Sequence, residues 1–207
     1  MSGDERHIHW EKVYQTKAEG EVSWFQESPE VSLDLIRATG VNASASIIDI
    51  GGGASRLVDA LVDAGFEAVT VLDLSDKALA TSRERLGARG GKVRWVVADV
   101  TQWQPTEVYD VWHDRAAFHF LVDPKDRAAY VERIVMAVRP GGHVIIGTFA
   151  LDGPERCSGL PVIRYDAASL GETLGRSFEL VDSRDHQHRT PMGTVQRFQF
   201  SRFKRSA

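Results

Sequence analysis

Cysteine is almost missing from this 207-residue chain: Cys157 stands alone, so no internal disulfide forms and stability rests on packing. A single thiol suits a reducing compartment, and the expected setting is cytoplasmic. No apolar run approaches the ~18 residues of a membrane span. The charged start "MSGDERHIHWEK" has no leader-like apolar stretch. A basic excess is absent too, with 25 Lys and Arg against 29 Asp and Glu for a net charge of −4. The basic residues are scattered, so nothing reads as a nucleic-acid footprint. Repeats, low-complexity linkers and blocks of like charge are missing as well. The length suits a single domain over 1–207. Composition thus argues against a nucleic-acid or membrane partner and leaves the oligomeric state open.

What is present is an alternation of periods. "SIIDI" (46–50), "AVTVLDLS" (68–75), "KVRWVVADV" (92–100), "YDVWHD" (109–114) and "HVIIGTF" (143–149) are short, β-branched runs that predict buried strands. "SRLVDALVDAG" (55–65), "DKALATSRERLGA" (76–88) and "RAAYVERIVMAVRPGG" (127–142) between them predict helices. That rhythm predicts an α/β fold, a doubly wound, mostly parallel Rossmann-like sheet. "FELVDSR" and "TVQRFQFSRF" add a C-terminal antiparallel hairpin, seven strands in all, with His186 and His188 expected in its polar loop. Residues 1–40 read as helical and carry Trp10, Tyr14, Trp24 and Phe25.

Strand, glycines and helix meet at "IDIGGGASR", where open α/β sheets bind ligands. Asp73 follows Asp49 by 24 residues, close to the ~20 of a dinucleotide fingerprint, and would accept from ribose hydroxyls. The third glycine of that fingerprint is replaced by Arg56, however, and an acid precedes the first glycine by two residues. Those two departures favour a cationic ligand over a pyrophosphate.

The series "IDIGGGAS", "VLDLS", "VVADV", "YDVWHD", "VRPGGHVII" resembles the class I S-adenosylmethionine-dependent methyltransferases over about residues 46–150. The resemblance implies an enzyme with S-adenosyl-L-methionine as cofactor, a core at 46–150, a helical lid at 1–40 and a substrate-side segment at 151–207. By it, Asp49, Gly51, Gly53 and Ser55 lie at the methionine end, and Asp73 and Leu74 at the ribose. Asp99 and Val100 meet the adenine, and His113 and Asp114 face the sulfonium. The stretch 109–134, with Asp114-Arg115 and a later "DR..Y", is similar to the thiopurine methyltransferase group of small-molecule enzymes.

On that likeness the expected catalytic set is His113, Asp114 and Arg115, under a lid of Trp10, Tyr14, Trp24 and Phe25. The expected reaction is in-line methyl transfer to a small molecule, with a thiol or other soft nucleophile as one acceptor. A protein lysine methyltransferase and a non-catalytic binding module are the alternatives. The spacing of Cys157, His186 and His188 is not that of a zinc motif, and no metal is expected. Whether these three reach the acceptor site is left open.

Overall fold

The computed structural model describes residues 3–206. Helices α1 (Gly3–Thr16) and α2 (Glu30–Arg37) precede strand β1 (Ser46–Ile50). The α/β core then runs α3 (Leu57–Asp63), β2 (Ala68–Asp73), α4 (Asp76–Leu86), β3 (Arg94–Val97), β4 (Tyr109–Arg115), α5 (Pro124–Ala137) and β5 (Val138–Phe149). A two-residue ladder, β6 (Arg156–Cys157) with β7 (Leu160–Pro161), leads to α6 (Ala167–Leu174). The long hairpin β8 (Phe178–Arg189) and β9 (Val195–Arg205) ends the chain. The main sheet has seven strands in the order β3-β2-β1-β4-β5-β9-β8. Strands β1 to β5 pair in parallel, while β9 runs antiparallel to both β5 and β8. Among the described residues, no helix is long and apolar enough to cross a membrane.

Side chains alternate between the two faces of each strand. Ile48, Ile50, Trp112, Ile146 and Phe203 pack on one face with Tyr130 and Ile134 of α5 and Leu170 of α6. Ile47, Val69, Val71, Val111 and Ile145 pack on the other with Leu35 and Ile36 of α2 and Leu57 and Leu61 of α3. Each such aliphatic side chain taken from water contributes ~1.5–3 kcal/mol, so both faces must be covered. Ser75 caps α4 by accepting from the Ala78 amide, and Asp123 caps α5 just before Pro124.

Three expected boundaries move. The helix predicted to run through "RPGG" stops at Ala137, and Pro140-Gly141-Gly142 lie in β5 beside an irregular register with β4. Proline cannot supply the amide that a further helical turn needs. The third strand pairs only over 94–97, and residues 98–100 leave the sheet to line a cleft. His186 and His188 are not in a loop: β8 extends to Arg189 and pairs them with Phe198 and Gln196. The turn itself lies at 190–194, with Gly193 at φ +83° and Thr194 N–H donating to Thr190.

Candidate functional site

In the sheet order β1 lies between β2 and β4, so chain connections diverge on its two sides and leave a crevice beyond its carboxyl end. The glycine turn sits there. The amides of Gly51 and Gly52 both donate to the Leu72 carbonyl, at 2.7 and 3.3 Å, folding the turn over the end of β2. A Cβ on Gly51 (φ +66°) would stand 2.6 Å from that of Ala117, and one on Gly53 (φ +34°) 2.7 Å from Asp73 Oδ2. The glycines therefore let the turn close directly against the strand-end acids.

Register fixes which acids meet. Asp49 of β1 and His113 of β4 are cross-strand partners on one face, and His113 Nδ1 lies 2.7 Å from Asp49 Oδ1. Helix α2 covers that face with Ser32, whose Oγ is 2.9 Å from His113 Nε2. All three residues are buried. Both ring nitrogens of His113 are thus engaged, while Asp49 Oδ2 is buried without a partner. That oxygen is 2.5 Å from where a Cβ on Gly52 would be, so it opens onto the turn.

Asp114 corrects the expectation that it stands at the mouth of the site. Its neighbour His113 takes the cleft face, so alternation sends Asp114 to the opposite face, against α5. There it is fully buried, accepting from the Ala117 and Phe118 amides and from the Tyr130 hydroxyl at 2.6 Å. Burial pushes its carboxyl up to about 6. Its work is to hold the turn after β4, where Ala116 has φ +66°, and so to present Ala117 and Phe120 to the cleft. The Tyr130 of "DR..Y" likewise serves the core, accepting from Trp112 Nε1 at 2.9 Å.

One cavity, with about 780 Å³ of non-protein space including its open mouth, is lined by Leu72, Asp73, Leu74, Asp99, Val100, Trp10, Tyr14, Trp24, Arg115, Phe120 and Cys157. A second holds Asp49, Ser55, Phe25, Ser32 and His113. The two share Tyr14, Trp24, Gly51 and Arg115 as a common wall. Asp73 accepts from the Ser75 amide through Oδ1. Burial, reinforced by the charge of Asp49, raises its carboxyl to about 7. Asp99 is committed inside the protein: Arg6 Nη2 donates to Oδ2 at 2.7 Å, and Thr101 donates to Oδ1. Burial opposes its ionisation, but these bonds outweigh it and hold the carboxyl below its usual range. Ser55 uses its hydroxyl to accept from the Leu57 amide. Phe25 lies under the Arg56 guanidinium at 5.9 Å.

The N-terminal segment closes over the cleft through polar anchors that the sequence reading missed. Arg6 joins Asp99 to Asp126 of α5, Glu11 accepts from Ser75, and Glu19 binds Arg56 and Arg85. Trp24 meets Trp10 edge-on at 5.6 Å, and Trp10 meets Phe120 at 4.9 Å. Ser32 had a visible signal, a polar residue on the same helical face as Leu35 and Ile36; Arg6 had none.

Arg115 forms the floor between the cavities. Its Nη2 donates to the Trp24 carbonyl at 2.9 Å, its guanidinium lies 5.4 Å from the Phe198 ring, and its buried Nε has no partner. Burial lowers it to about 10, so it is charged at neutral pH. Cys157 lines the same cavity, its thiol pushed up to about 11 by burial. His188 Nε2 is 2.7 Å from the Ser23 carbonyl. Among the described residues, no group of three or more His, Cys, Asp or Glu side chains is arranged to hold a metal ion.

Comparison with known proteins places this geometry. Residues 47–142 match the family model of a methyltransferase domain. The chain is 28% identical over 106 residues to Nodulation protein S of Rhizobium fredii, covering 51% of this chain and 60% of that protein. It is 24% identical over 186 residues to Thiocyanate methyltransferase 1 of Arabidopsis thaliana, covering 88% of this chain and 78% of that one. It superposes on the 1,6-didemethyltoxoflavin-N1-methyltransferase of Burkholderia thailandensis with a TM-score of 0.75 and 22% identity, covering 100% and 92% of the two chains. The fold is the class I methyltransferase fold, and the match to the methyltransferase-domain model spans residues 47–142, a little under half of the chain. The chain spans less than two thirds of the Rhizobium relative.

Proposed function

From the likeness to methyltransferase domains over residues 47–142, we propose that the protein is an S-adenosylmethionine-dependent methyltransferase acting on a small molecule. The observation that carries the reading is Asp49 Oδ2, a buried acceptor with no partner that opens onto a turn stripped of side chains. An orphaned buried carboxylate oxygen costs ~1–3 kcal/mol or more, and an ammonium group on a ligand satisfies it. The cofactor supplies an electrophilic methyl group on a sulfonium. Asp49, held by His113 and Ser32, takes the amino end; Asp73 takes the ribose hydroxyls; Leu72, Leu74 and Val100 flank the base. Asp99 serves that end with Arg6 already bonded to it. Tyr14, Trp24 and Phe120 exclude water and turn aromatic rings toward a cation.

The small-molecule reading rests on the cover. Aromatic side chains anchored from α1 to Trp24 leave a cleft shaped for a compact acceptor rather than an extended peptide. The relatives named above for thiocyanate and toxoflavin methylation point the same way. Calorimetric titration with S-adenosylhomocysteine tests the cofactor assignment, with saturable binding lost in Asp49→Asn expected. Labelled methyl appearing in the low-molecular-weight fraction of a metabolite extract tests the acceptor class. Label confined to protein would replace it with a protein methyltransferase.

A further inference from the structure

We propose that the acceptor is an anion, received by Arg115 between the two cavities and methylated without the help of a base. The inference rests on the methyltransferase reading and specifies its substrate class.

The argument is a charge inventory of the cleft. The carboxylates stand on the β1 and β2 side, where Asp49 is the penultimate residue of β1 and Asp73 the last of β2. The opposite wall, toward β5 and the hairpin, carries the Arg115 cation and no ion pair to it among the described residues. The charge of Asp49 favours its ionisation without forming an ion pair with it, and the shifted groups on its own wall are neutral at neutral pH. Burial and the Arg115 charge depress His119, to about 3, and also lower His186 and His188. Burial keeps the Cys157 thiol and the Tyr14 phenol protonated. The Arg115 guanidinium offers a buried Nε–H with nothing to receive it. A buried cation with no paired counter-ion is costly, and a small anion bonded to that Nε–H reduces the cost.

The absence of a proton acceptor leads to the same class. His113 spends both ring nitrogens on Asp49 and Ser32, and Asp114 is turned to the other face of the sheet. His119 is far too weak a base. No histidine lines the first cavity and Asp73 is committed to the ribose, so an acceptor that arrives protonated has nowhere there to leave its proton, whereas an anion has none to lose. The anion's lone pair forms the bond to the methyl carbon while the carbon–sulfur bond breaks and its electron pair stays on sulfur. An anion and a sulfonium become two neutral products, with no proton moved. Bringing opposite charges together and annihilating them is favoured in a dry, low-dielectric site.

An anion at Arg115 has a second source, the cofactor's own carboxylate, and the test separates the two. Protein loaded with S-adenosylhomocysteine is titrated with thiocyanate and with iodide, and dimethyl sulfide serves as the neutral soft nucleophile. Expected is saturable anion binding that Arg115→Gln weakens at least tenfold and Arg115→Lys weakens less. Affinity for S-adenosylhomocysteine should stay within threefold in both variants. In turnover, anions should be methylated in preference to dimethyl sulfide. The proposal is overturned if anions bind wild type and Arg115→Gln alike or bind neither. It also fails if Arg115→Gln and Arg115→Lys lose S-adenosylhomocysteine tenfold or more, which would assign the residue to the cofactor. Methylation of dimethyl sulfide with inert anions would sink the anion class while leaving the methyltransferase reading standing. Failure of wild type to bind S-adenosylhomocysteine would sink both.

Discussion

The two ends of the cleft are built on opposite principles. At the β3 end, Asp99 is saturated from within by Arg6 and Thr101. At the glycine turn, Asp49 keeps one oxygen empty, and Asp73 carries an unfavourable charge beside it. One end is already satisfied and serves to hold α1 down. The other is left unsatisfied by the protein and so gains most from a ligand. A site of this kind separates fastening from binding, and substitutions should divide the same way.

The largest break in the comparison is expected from Gly51→Val. It places a β-branched side chain at φ +66° and a Cβ 2.6 Å from that of Ala117. Left-handed strain of ~1–2 kcal/mol and overpacking of ~1–3 kcal/mol add at one position. For a domain of this size each kcal/mol lowers the melting temperature by ~2–4 °C. A fall of roughly 5–15 °C with cofactor binding abolished is expected by calorimetry. An unchanged melting temperature would show that the turn does not need to close against Ala117.

Asp73→Ala comes next, removing a charge-assisted bond at the open end and costing ~1.5–3 kcal/mol of cofactor affinity. The pH dependence sharpens it. Asp73 has a raised carboxyl pKa in the folded protein, about 7, owing to burial and the neighbouring charges of Asp49 and Glu11. Its ionisation therefore costs stability as pH rises from about 4 to about 7, and below that window there is no cost. A ligand that hydrogen-bonds to the ionised form must bind more tightly as pH climbs through the same range. Affinity should rise by up to ~10-fold per pH unit below 7 and level off above it. Asp73→Asn should bind weakly and show no such slope.

The parallel strands were legible because short β-branched runs alternate with helical stretches, and the central strands β1, β2 and β4 are buried along most of their length. Asp49, Gly51 and Asp73 were legible for the same reason, since they mark strand ends. The roles around "WHDR" were not. A linear motif shows His113, Asp114 and Arg115 as neighbours, whereas a strand sends the middle one to the far face. Arg6 was invisible because its partners, Asp99 and Asp126, are 93 and 120 residues away.

Arg6→Ala breaks the saturated end. It leaves Asp99 and Asp126 without their shared cation in a largely buried setting, and a loss of ~1–3 kcal/mol is expected. Hydrogen exchange should quicken over residues 3–16 while sheet amides keep their protection. Cofactor affinity should fall less than in Asp73→Ala. A large loss of affinity with exchange unchanged would move Arg6 from the fastening to the binding side.

The smallest effect is expected from Ser32→Ala, and it probes the open end from behind. The substitution strips His113 Nε2 of its partner while leaving Nδ1 on Asp49. A lost buried hydrogen bond costs ~1 kcal/mol, or about 3 °C in melting temperature. Its functional consequence follows from what the bond does. Ser32 pins the ring, the ring pins Asp49 Oδ1, and the geometry left to Oδ2 depends on both. A loosened ring should therefore raise KM for the cofactor a few-fold and leave kcat nearly unchanged, because no group on the acceptor wall has moved. Ser32→Thr retains a hydroxyl and should recover the cofactor KM if the pocket admits its methyl. A fall in kcat with KM unchanged would instead place His113 on the reacting side of the cleft and return it to the role of base.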